Sequence, residues 1–217
     1  MLEYKGVKLT WLGHDAFRIQ DGQVVYIDPF EISGGAKADV VLISHEHSDH
    51  CSIQDLKKII TANSIVLAHA QSKGELSKLP VKEVRIAKPG DKFTFGNVSV
   101  EAVPAYNTNK FREPGKVFHP KEDGKLGFIV TVSGVRIYHA ADTDNIPEMT
   151  GLMPDIALLP VSGTYVMTAK EAAEAAASIK PKIAVPMHYG SIVGSVKDAE
   201  EFKRLVKCDV RILEKEH

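Results

Sequence analysis

The chain lacks the features that mark several classes of protein. It has only two cysteines, Cys51 and Cys208, among 217 residues, too few for a disulfide scaffold and consistent with a reducing cytoplasm. Its longest apolar run, Ile156 to Val161, is far too short to cross a membrane, and its first residues contain no apolar stretch typical of a signal peptide. We therefore expect a cytoplasmic protein with no membrane span.

A surplus of charge of either sign is also missing. Lys and Arg together number 27, Asp and Glu 28, and the formal net charge is -1. This balance gives no general attraction to nucleic acid, and none is expected as a partner. Hydrophobic residues make up 44% of the chain, as in an ordinary globular protein. Without repeats or linkers, this length predicts a single domain over residues 1–217.

The apolar pattern predicts short strands, with two clear helices near the end. Thr168 and Glu171 form a capping box that predicts a helix over Ala169–Lys180, and Ser195 begins another that reaches about Lys207. Residues 104–125 read as a long irregular loop, which in a compact domain is often functional. Strand-rich halves that each end in helices predict an α/β arrangement of two sheets with helices outside.

What the chain does have is nine histidines, unevenly placed. Residues 45–50 read His-Glu-His-Ser-Asp-His and follow the apolar strand predicted over Val40–Ser44. Imidazole and carboxylate are the usual protein ligands of divalent zinc, manganese and iron. In extended backbone His45 and His47 project to the same side, while Asp49 and His50 can face a second position. A solvated polar loop is the alternative, but the density of ligand types favours a metal site.

Asp142 and His188 each stand just past another apolar strand, which brings the candidate ligands to six. A single catalytic ion takes three or four protein ligands and keeps a position for water or substrate. Six or seven are too many for one ion and suit two. Such ions lie roughly 3.5–4 Å apart, a distance that one carboxylate can bridge.

The pattern HxHxDH formed by His45, His47, Asp49 and His50 resembles that of the metallo-β-lactamase superfamily. The segments WLGHDAF, VPAYN, FHPK, YHAADTD, LLPVSGTY and PMHYGSIVG are similar to its compact, uncharacterised branch of metal-dependent hydrolases, which is ascorbate-phosphate lactonase-like. The resemblance extends over nearly the whole chain. It implies a four-layer αββα sandwich, with the site at one edge between the two sheets.

The resemblance also implies a set of metal ligands, with Asp142 as the bridge between two ions. The family has one more histidine between the first motif and the bridging Asp, and two residues could supply it. We prefer His119, which lies in the long loop and matches the HPK segment, over His69 in VLAHA. The predicted ligands are His45, His47, Asp49, His50, His119, Asp142 and His188.

Other residues are expected around the site. The family counterpart of Asp28 is a buried carboxylate that holds the HxHxDH loop, although Asp28 could instead cap a turn before Pro29. The branch also carries a histidine at His14, which implies a role at the rim. His139 is either a packed, hydrogen-bonded histidine or a partner of a ligand. Asn107 and Tyr165 either touch substrate or belong to a solvated loop.

One position departs from the family pattern. The residue before the bridging Asp is usually Gly, whereas here it is Ala141. Glycine at such a position indicates a close backbone approach or a positive φ. Alanine is therefore acceptable only if φ is negative or the strain is small.

The function implied is that of a hydrolase which uses a bridging hydroxide on two divalent ions, with Asp49, Asp142 and His188 in catalytic roles. Zinc is the expected metal, while manganese, iron or nickel could occupy the same ligands. The expected partner is a small-molecule substrate, a lactone or phosphodiester. An iron-dependent redox enzyme and a non-catalytic metal-binding protein are the alternatives. Diiron relatives replace the second histidine of the motif with Glu, and His47 argues against them.

Overall fold

The computed structural model describes residues 1–216, and His217, to which the sequence assigned no role, lies outside them. Two seven-stranded sheets and a two-stranded hairpin make up the β-structure of this part of the chain. The first sheet keeps its strands in chain order. Its members are β1 (Leu2–Tyr4), β2 (Val7–Gly13), β3 (Ala16–Asp21), β4 (Gln23–Ile27), β5 (Val40–Ile43), β6 (Ile65–His69) and β7 (Glu83–Ala87).

The second sheet is built mainly from the second half of the chain. Its strands are β8 (Lys92–Phe95), β9 (Val98–Pro104), β12 (Leu126–Val132), β13 (Val135–His139), β14 (Ile156–Pro160), β15 (Ile183–Met187) and β16 (Asp209–Val210), and the separate hairpin pairs β10 (Phe111–Glu113) with β11 (Lys116–Val117). The spatial order is β16-β15-β14-β13-β12-β9-β8. Strands β13 to β16 run parallel, and β8, β9, β12 and β13 pair antiparallel.

Side chains that alternate between the two faces of a strand create the apolar layers on both sides of the first sheet. In β5, Val40 and Leu42 belong to the core between the sheets, whereas Val41 and Ile43 belong to a second core on the outer face of the first sheet. Successive side chains of a strand point to opposite faces, so an uninterrupted apolar run is buried on both sides. The strand predicted over Val40–Ser44 is therefore covered on both faces.

Four helices supply the outer layers. They are α1 (Ile53–Ile59), α2 (Lys73–Leu76), α3 (Ala169–Ile179) and α4 (Val196–Leu205). Leu56 of α1 and Leu76 of α2 pack into the outer core of the first sheet, while Ala172 of α3 and Phe202 of α4 cover the second sheet. The result is the predicted αββα sandwich. No helix in residues 1–216 is long and apolar enough to span a bilayer.

The strands and helices differ from the sequence-based prediction mainly at their ends. Segment 104–125, read as irregular, contains the β10–β11 hairpin and a 3₁₀ turn at Lys121–Asp123. Strand β1 was not predicted, and the last strand, which the apolar pattern predicts over Val210–Leu213, covers only Asp209–Val210. The prediction for α3 included Lys180, but that residue has φ +57° and serves as the left-handed cap. Short edge strands carry too little apolar alternation to be recognised locally.

Lys180→Gly should stabilise the protein, because glycine adopts left-handed backbone without the penalty that a Cβ incurs. We expect a gain of roughly 0.5–1 kcal/mol in the free energy of unfolding, measured by urea denaturation. The matched control is Lys170→Gly inside the same helix, which should lose a similar amount. A loss of stability in both variants would contradict the assignment of the cap.

Candidate metal centre

The candidate residues meet at one edge because several strands end there. His45 lies just past β5, Asp142 past β13 and His188 past β15, and all three strands have a parallel neighbour in their sheet. Loops at the carboxyl ends of parallel strands open into a common crevice. The chain then turns sharply, since the backbone N–H groups of His50 and Cys51 both donate to the carbonyl of His47. This turn places Asp49 and His50 beside His45 rather than along the strand direction.

Asp142 lies at the middle of the cluster and presents its two oxygens to different histidines. Oδ1 is 3.3 Å from Nε2 of His50 and 3.4 Å from Nε2 of His188. Oδ2 is 3.7 Å from Nε2 of His119 and 4.0 Å from Nε2 of His45. One carboxylate therefore faces two separate groups of imidazoles.

The group on the Oδ2 side contains His45, His47 and His119. One ring nitrogen from each lies within 4.8 Å of the others, and Nε2 of His45 is 3.0 Å from Nδ1 of His47. The group on the Oδ1 side contains Asp49, His50 and His188. There, Oδ2 of Asp49 is 3.6 Å from Nε2 of His50. All seven residues predicted as ligands are thus brought together.

The second candidate for the third-motif histidine lies elsewhere. Nε2 of His69 donates to the carbonyl of Asp123 at 2.9 Å, and its Nδ1 is 3.7 Å from Glu46. No ligand-sized group in residues 1–216 includes His69. The geometry favours His119, as the loop position and the HPK match had suggested.

Access to the cluster is narrow. The side chains of His45, His50, His119 and His188 are at most 2% exposed, whereas those of His47 and Asp49 are 46% and 22% exposed. Solvent therefore reaches the centre past His47 and Asp49.

The electrostatics differ between the two sides. Burial holds the pKa of His45 well below its ordinary value, and burial together with Lys125 and His47 lowers the pKa of His119 to about 4. These imidazoles are neutral at pH 7, the form that binds a cation. On the other side burial would raise the pKa of Asp49, but the His14 hydrogen bond and His50 lower it to about 2.

Asp142 shows the same competition more strongly. Burial alone would raise its pKa, but His50 and His188 outweigh burial and hold it well below the ordinary range. The pKa of His50 is in turn well above its usual value, because Asp142 and Asp28 outweigh the effect of its burial. The fold therefore stabilises a buried carboxylate with neighbouring positive charge, which a divalent cation can supply in place of protons.

Unpaired atoms test whether these residues suit a metal. Nε2 of His50, Nε2 of His119 and Oδ1 of Asp142 are buried and have no hydrogen-bond partner among residues 1–216. Buried polar atoms are nearly always satisfied, and those left unpaired cost free energy. Imidazole nitrogens and a carboxylate oxygen that converge in this way are the donor set that zinc and related ions accept. The residues fit a divalent metal.

Outer hydrogen bonds fix which ring nitrogen faces the centre. Nδ1 of His50 donates to Asp28 at 2.8 Å, Nδ1 of His45 donates to Ser44 Oγ at 2.9 Å, and Nδ1 of His188 donates to Ser162 Oγ at 2.9 Å. The donor roles follow because the Ser44 hydroxyl is donated to Asp28 and that of Ser162 to the Thr164 carbonyl. With Nδ1 occupied, Nε2 of each ring faces the centre, and a metal ion that displaces any proton there can bind it.

Asp28 also accepts from the backbone N–H of Ser44 at 2.8 Å, directly before the HxHxDH loop. Ser44 and Ser162 were not singled out from the sequence. A serine at the end of a strand is too common locally to indicate that it orients a histidine.

His14 and His139 lie on the sheet side of the cluster. Nε2 of His14 is 3.3 Å from Oδ2 of Asp49, and its carbonyl accepts from the backbone N–H of His188. His139 is packed edge-on against Phe17, and its Nε2 donates to the carbonyl of Asp15 at 2.8 Å. His14 therefore touches a predicted ligand, whereas His139 holds the backbone next to it.

Asn107 holds the loop that carries His119. Its backbone N–H donates to the His119 carbonyl, its Oδ1 accepts from the His119 N–H at 3.0 Å, and its Nδ2 donates to Asp144 and to the carbonyl of Tyr165. The residue is only 4% exposed. Tyr165 is 38% exposed and lies edge-on to the ring of Phe118, at the rim above His119.

Several site residues adopt left-handed backbone. The values of φ are +48° for His14, +43° for Asp28, +56° for Ala141 and +59° for His188. Of the two conditions under which alanine is acceptable at position 141, a negative φ is not met, which leaves a small backbone strain. Each such residue costs on the order of 1–2 kcal/mol, and strain of this kind concentrates at functional sites.

Comparison with known proteins identifies the superfamily to which the chain belongs. The family model of the beta-lactamase superfamily domain matches residues 8–188. The chain belongs to this superfamily, the metallo-β-lactamase fold hydrolases.

Its relatives give the narrower group. It is 35% identical to a UPF0173 metal-dependent hydrolase of Archaeoglobus fulgidus, with 93% of this chain and 91% of the relative covered. A solved structure of a candidate metal-dependent hydrolase from Parabacteroides distasonis is 34% identical, with a TM-score of 0.84 over 97% of this chain and 94% of that one. A metallo hydrolase from Ignicoccus hospitalis is 26% identical, with a TM-score of 0.77 over 97% and 96%. The protein is a metal-dependent hydrolase of the metallo-β-lactamase superfamily.

Asn107→Leu should destabilise the protein even when no metal is bound. The side chain keeps its size but loses three hydrogen bonds and leaves the buried N–H of His119 without a partner. We expect a loss of about 2–4 kcal/mol in the free energy of unfolding, measured by urea denaturation in the presence of a chelator. The control is Asn109→Ala, an exposed position in the same loop where the change should stay within about 0.5 kcal/mol. Equal effects at the two positions would contradict the role given to Asn107.

Proposed function

We propose that the whole chain is one hydrolase domain with two divalent ions at this centre. The observation that carries the proposal is the position of Asp142, whose two carboxylate oxygens each face a different set of imidazoles. A carboxylate between two ligand groups can bind an ion with each oxygen and screen their mutual repulsion. A centre for one ion would leave three or four of the seven candidate ligands unused.

The ligands divide between the ions as follows. One ion would be held by His45, His47 and His119, the other by Asp49, His50 and His188, with Asp142 shared. Zinc is the metal we expect from this histidine-rich set, and manganese, iron or nickel would fit the same donors. Cytoplasmic location follows from the low cysteine content.

Hydrolysis needs activated water and a proton carrier. Divalent ions held at these residues supply Lewis acidity and lower the pKa of water toward neutrality. Asp49 lies at the solvent opening, hydrogen-bonded to His14, and is ionised at pH 7. Its carboxylate accepts the proton of the attacking water as the new bond forms at carbon or phosphorus. The same proton then passes to the departing oxygen, which returns Asp49 to its carboxylate form.

The substrate we propose is a small lactone or phosphodiester that carries negative charge. A cavity of about 440 Å³ opens beside Asn107, on the loop that holds His119, and its wall includes Arg112, Lys116 and Lys121. Lys116 and Lys121 pair with Glu113 and Glu148, so Arg112 is the cationic group that would favour an anionic substituent such as phosphate. The segment between Asp142 and His188 is occupied by β14, α3 and β15, which leaves no inserted domain to bind a large nucleic acid.

Metal stoichiometry of three variants tests the dinuclear centre. Asp142→Ala should lose at least one equivalent because it removes the shared ligand, His119→Ala should weaken one equivalent, and His69→Ala should keep both. Each variant is compared with the parent by elemental analysis at matched pH, since protons compete with metal for these ligands. Thermal unfolding of each variant shows that it is folded. If Asp142→Ala retains two equivalents as tightly as the parent, the shared-carboxylate arrangement is wrong.

Activity tests the substrate class. The metal-loaded parent is assayed on chromogenic lactone, phosphodiester, thioester and β-lactam substrates, with lactone or phosphodiester expected to be cleaved fastest. Asp49→Asn should lower kcat at least about 100-fold, because it removes the proton carrier. The control is Arg112→Ala, which should raise KM for anionic substrates more than it lowers kcat. Cleavage of thioester or β-lactam alone would overturn the proposed substrate class.

A further inference from the structure

Asp15 is a buried acid that the superfamily pattern does not use. It follows His14 in the turn between β2 and β3, and it is 0% exposed. Neither of its carboxylate oxygens has a hydrogen-bond partner among residues 1–216. Burying a carboxylate without any donor is costly, so the carboxyl must be offset by a cation or a proton.

The surroundings of Asp15 contain ligand-type atoms. One atom each from His14, Asp15, His50 and His188 lies within 4.8 Å of the other three. Nδ1 of His50 is 3.8 Å from Asp15 Oδ2 but is already bonded to Asp28, so the unpaired Nε2 is the atom left for an ion. The acid therefore borders the His50 and His188 side of the centre.

Charge balance favours a cation over a proton. Four carboxylates surround the site, those of Asp15, Asp28, Asp49 and Asp142, and all four except Asp49 are nearly or fully buried. Two divalent ions carry four positive charges, which four ionised carboxylates would neutralise. The neighbouring Glu46 is already paired with Lys125 at 2.8 Å and does not enter this balance.

We propose that Asp15 is a further carboxylate ligand of the ion held by Asp49, His50 and His188. The proposal rests on the dinuclear centre proposed above and deepens it. An added carboxylate makes the ligands of this ion the more negatively charged of the two sets, so this ion is the more tightly held. Asp15 is fully buried, whereas His47 and Asp49 are reached by solvent. The competing arrangement is a neutral Asp15 that donates a hydrogen bond to Asp142.

The experiment compares Asp15→Asn with the parent in metal binding. Asparagine has the same shape and can still donate to Asp142, but it is a far weaker ligand for a divalent ion. Metal-free protein is titrated with Zn²⁺ against a chromophoric chelator, and stoichiometry is confirmed by elemental analysis. One equivalent of Zn²⁺ should bind with an affinity within about threefold of the parent's. The other should bind about 100-fold more weakly or worse, which exceeds the loss typical of a residue that only supports a ligand.

Stability gives a readout that does not depend on activity. In chelator, Asp15→Asn should unfold at a higher temperature than the parent, because the variant buries no unpaired acid. In saturating Zn²⁺ the order should reverse, because the variant has lost a bond to the ion. The matched control is Asp155→Asn, an acid just before β14 at the far end of the sheet, whose effect on unfolding should be the same with and without metal.

Two outcomes are decisive, and a second variant is used if the first does not fold. If Asp15→Asn binds both equivalents with the parent's affinity, Asp15 is a hydrogen-bond donor and the proposal is overturned. If the parent itself binds fewer than two equivalents, the dinuclear centre fails, and this failure is visible without any variant. Should Asp15→Asn not fold, Asp15→Ser is used instead, and it must show the same selective loss of one equivalent.

Discussion

The structure around the site depends on one constraint, which is that Asp142 must be buried as an anion. Its carboxylate is 5% exposed, and four imidazole nitrogens surround it within 4.0 Å. A charge in such a place is tolerable only with compensating positive charge close by. That requirement explains why histidines from three separate loops converge there. It also explains why Nδ1 of His45, His50 and His188 is hydrogen-bonded to Ser44, Asp28 and Ser162 respectively.

The sandwich meets this constraint through the ends of its strands. His45, Asp142 and His188 come from strands in two different sheets, so the centre exists only when the sheets pack face to face. The core between them is continuous, from Phe17 and Leu42 on one side to Phe128 and Leu158 on the other. Left-handed backbone costs free energy at four site residues, which are His14, Asp28, Ala141 and His188. The packing of the two sheets around them maintains this strained conformation.

The sequence predicts much of this because its strongest signals are local. The HxHxDH run after an apolar strand and the capping box at Thr168 are each contained within a few residues. The structure has that strand and the helix after Thr168 near the predicted places. The hairpin inside 104–125 and the orienting roles of Ser44 and Ser162 escape prediction, because they depend on contacts between segments far apart in the chain. The position of His119 beside the cluster likewise depends on the loop contacts that Asn107 makes, which the sequence does not reveal.

Asp15 shows most clearly what the chain alone cannot reveal. In the sequence it is an acid next to His14 in a tight turn, a position where polar residues are ordinary and exposed. The packing of the two sheets buries it completely. The approach of His50 and His188 places its unpaired oxygens next to other atoms that could bind a metal ion. The same strand ends that assemble the family's ligands thus bring in an acid from outside the motif. The charge of the centre is therefore a property of the folded sandwich, not of the HxHxDH motif alone.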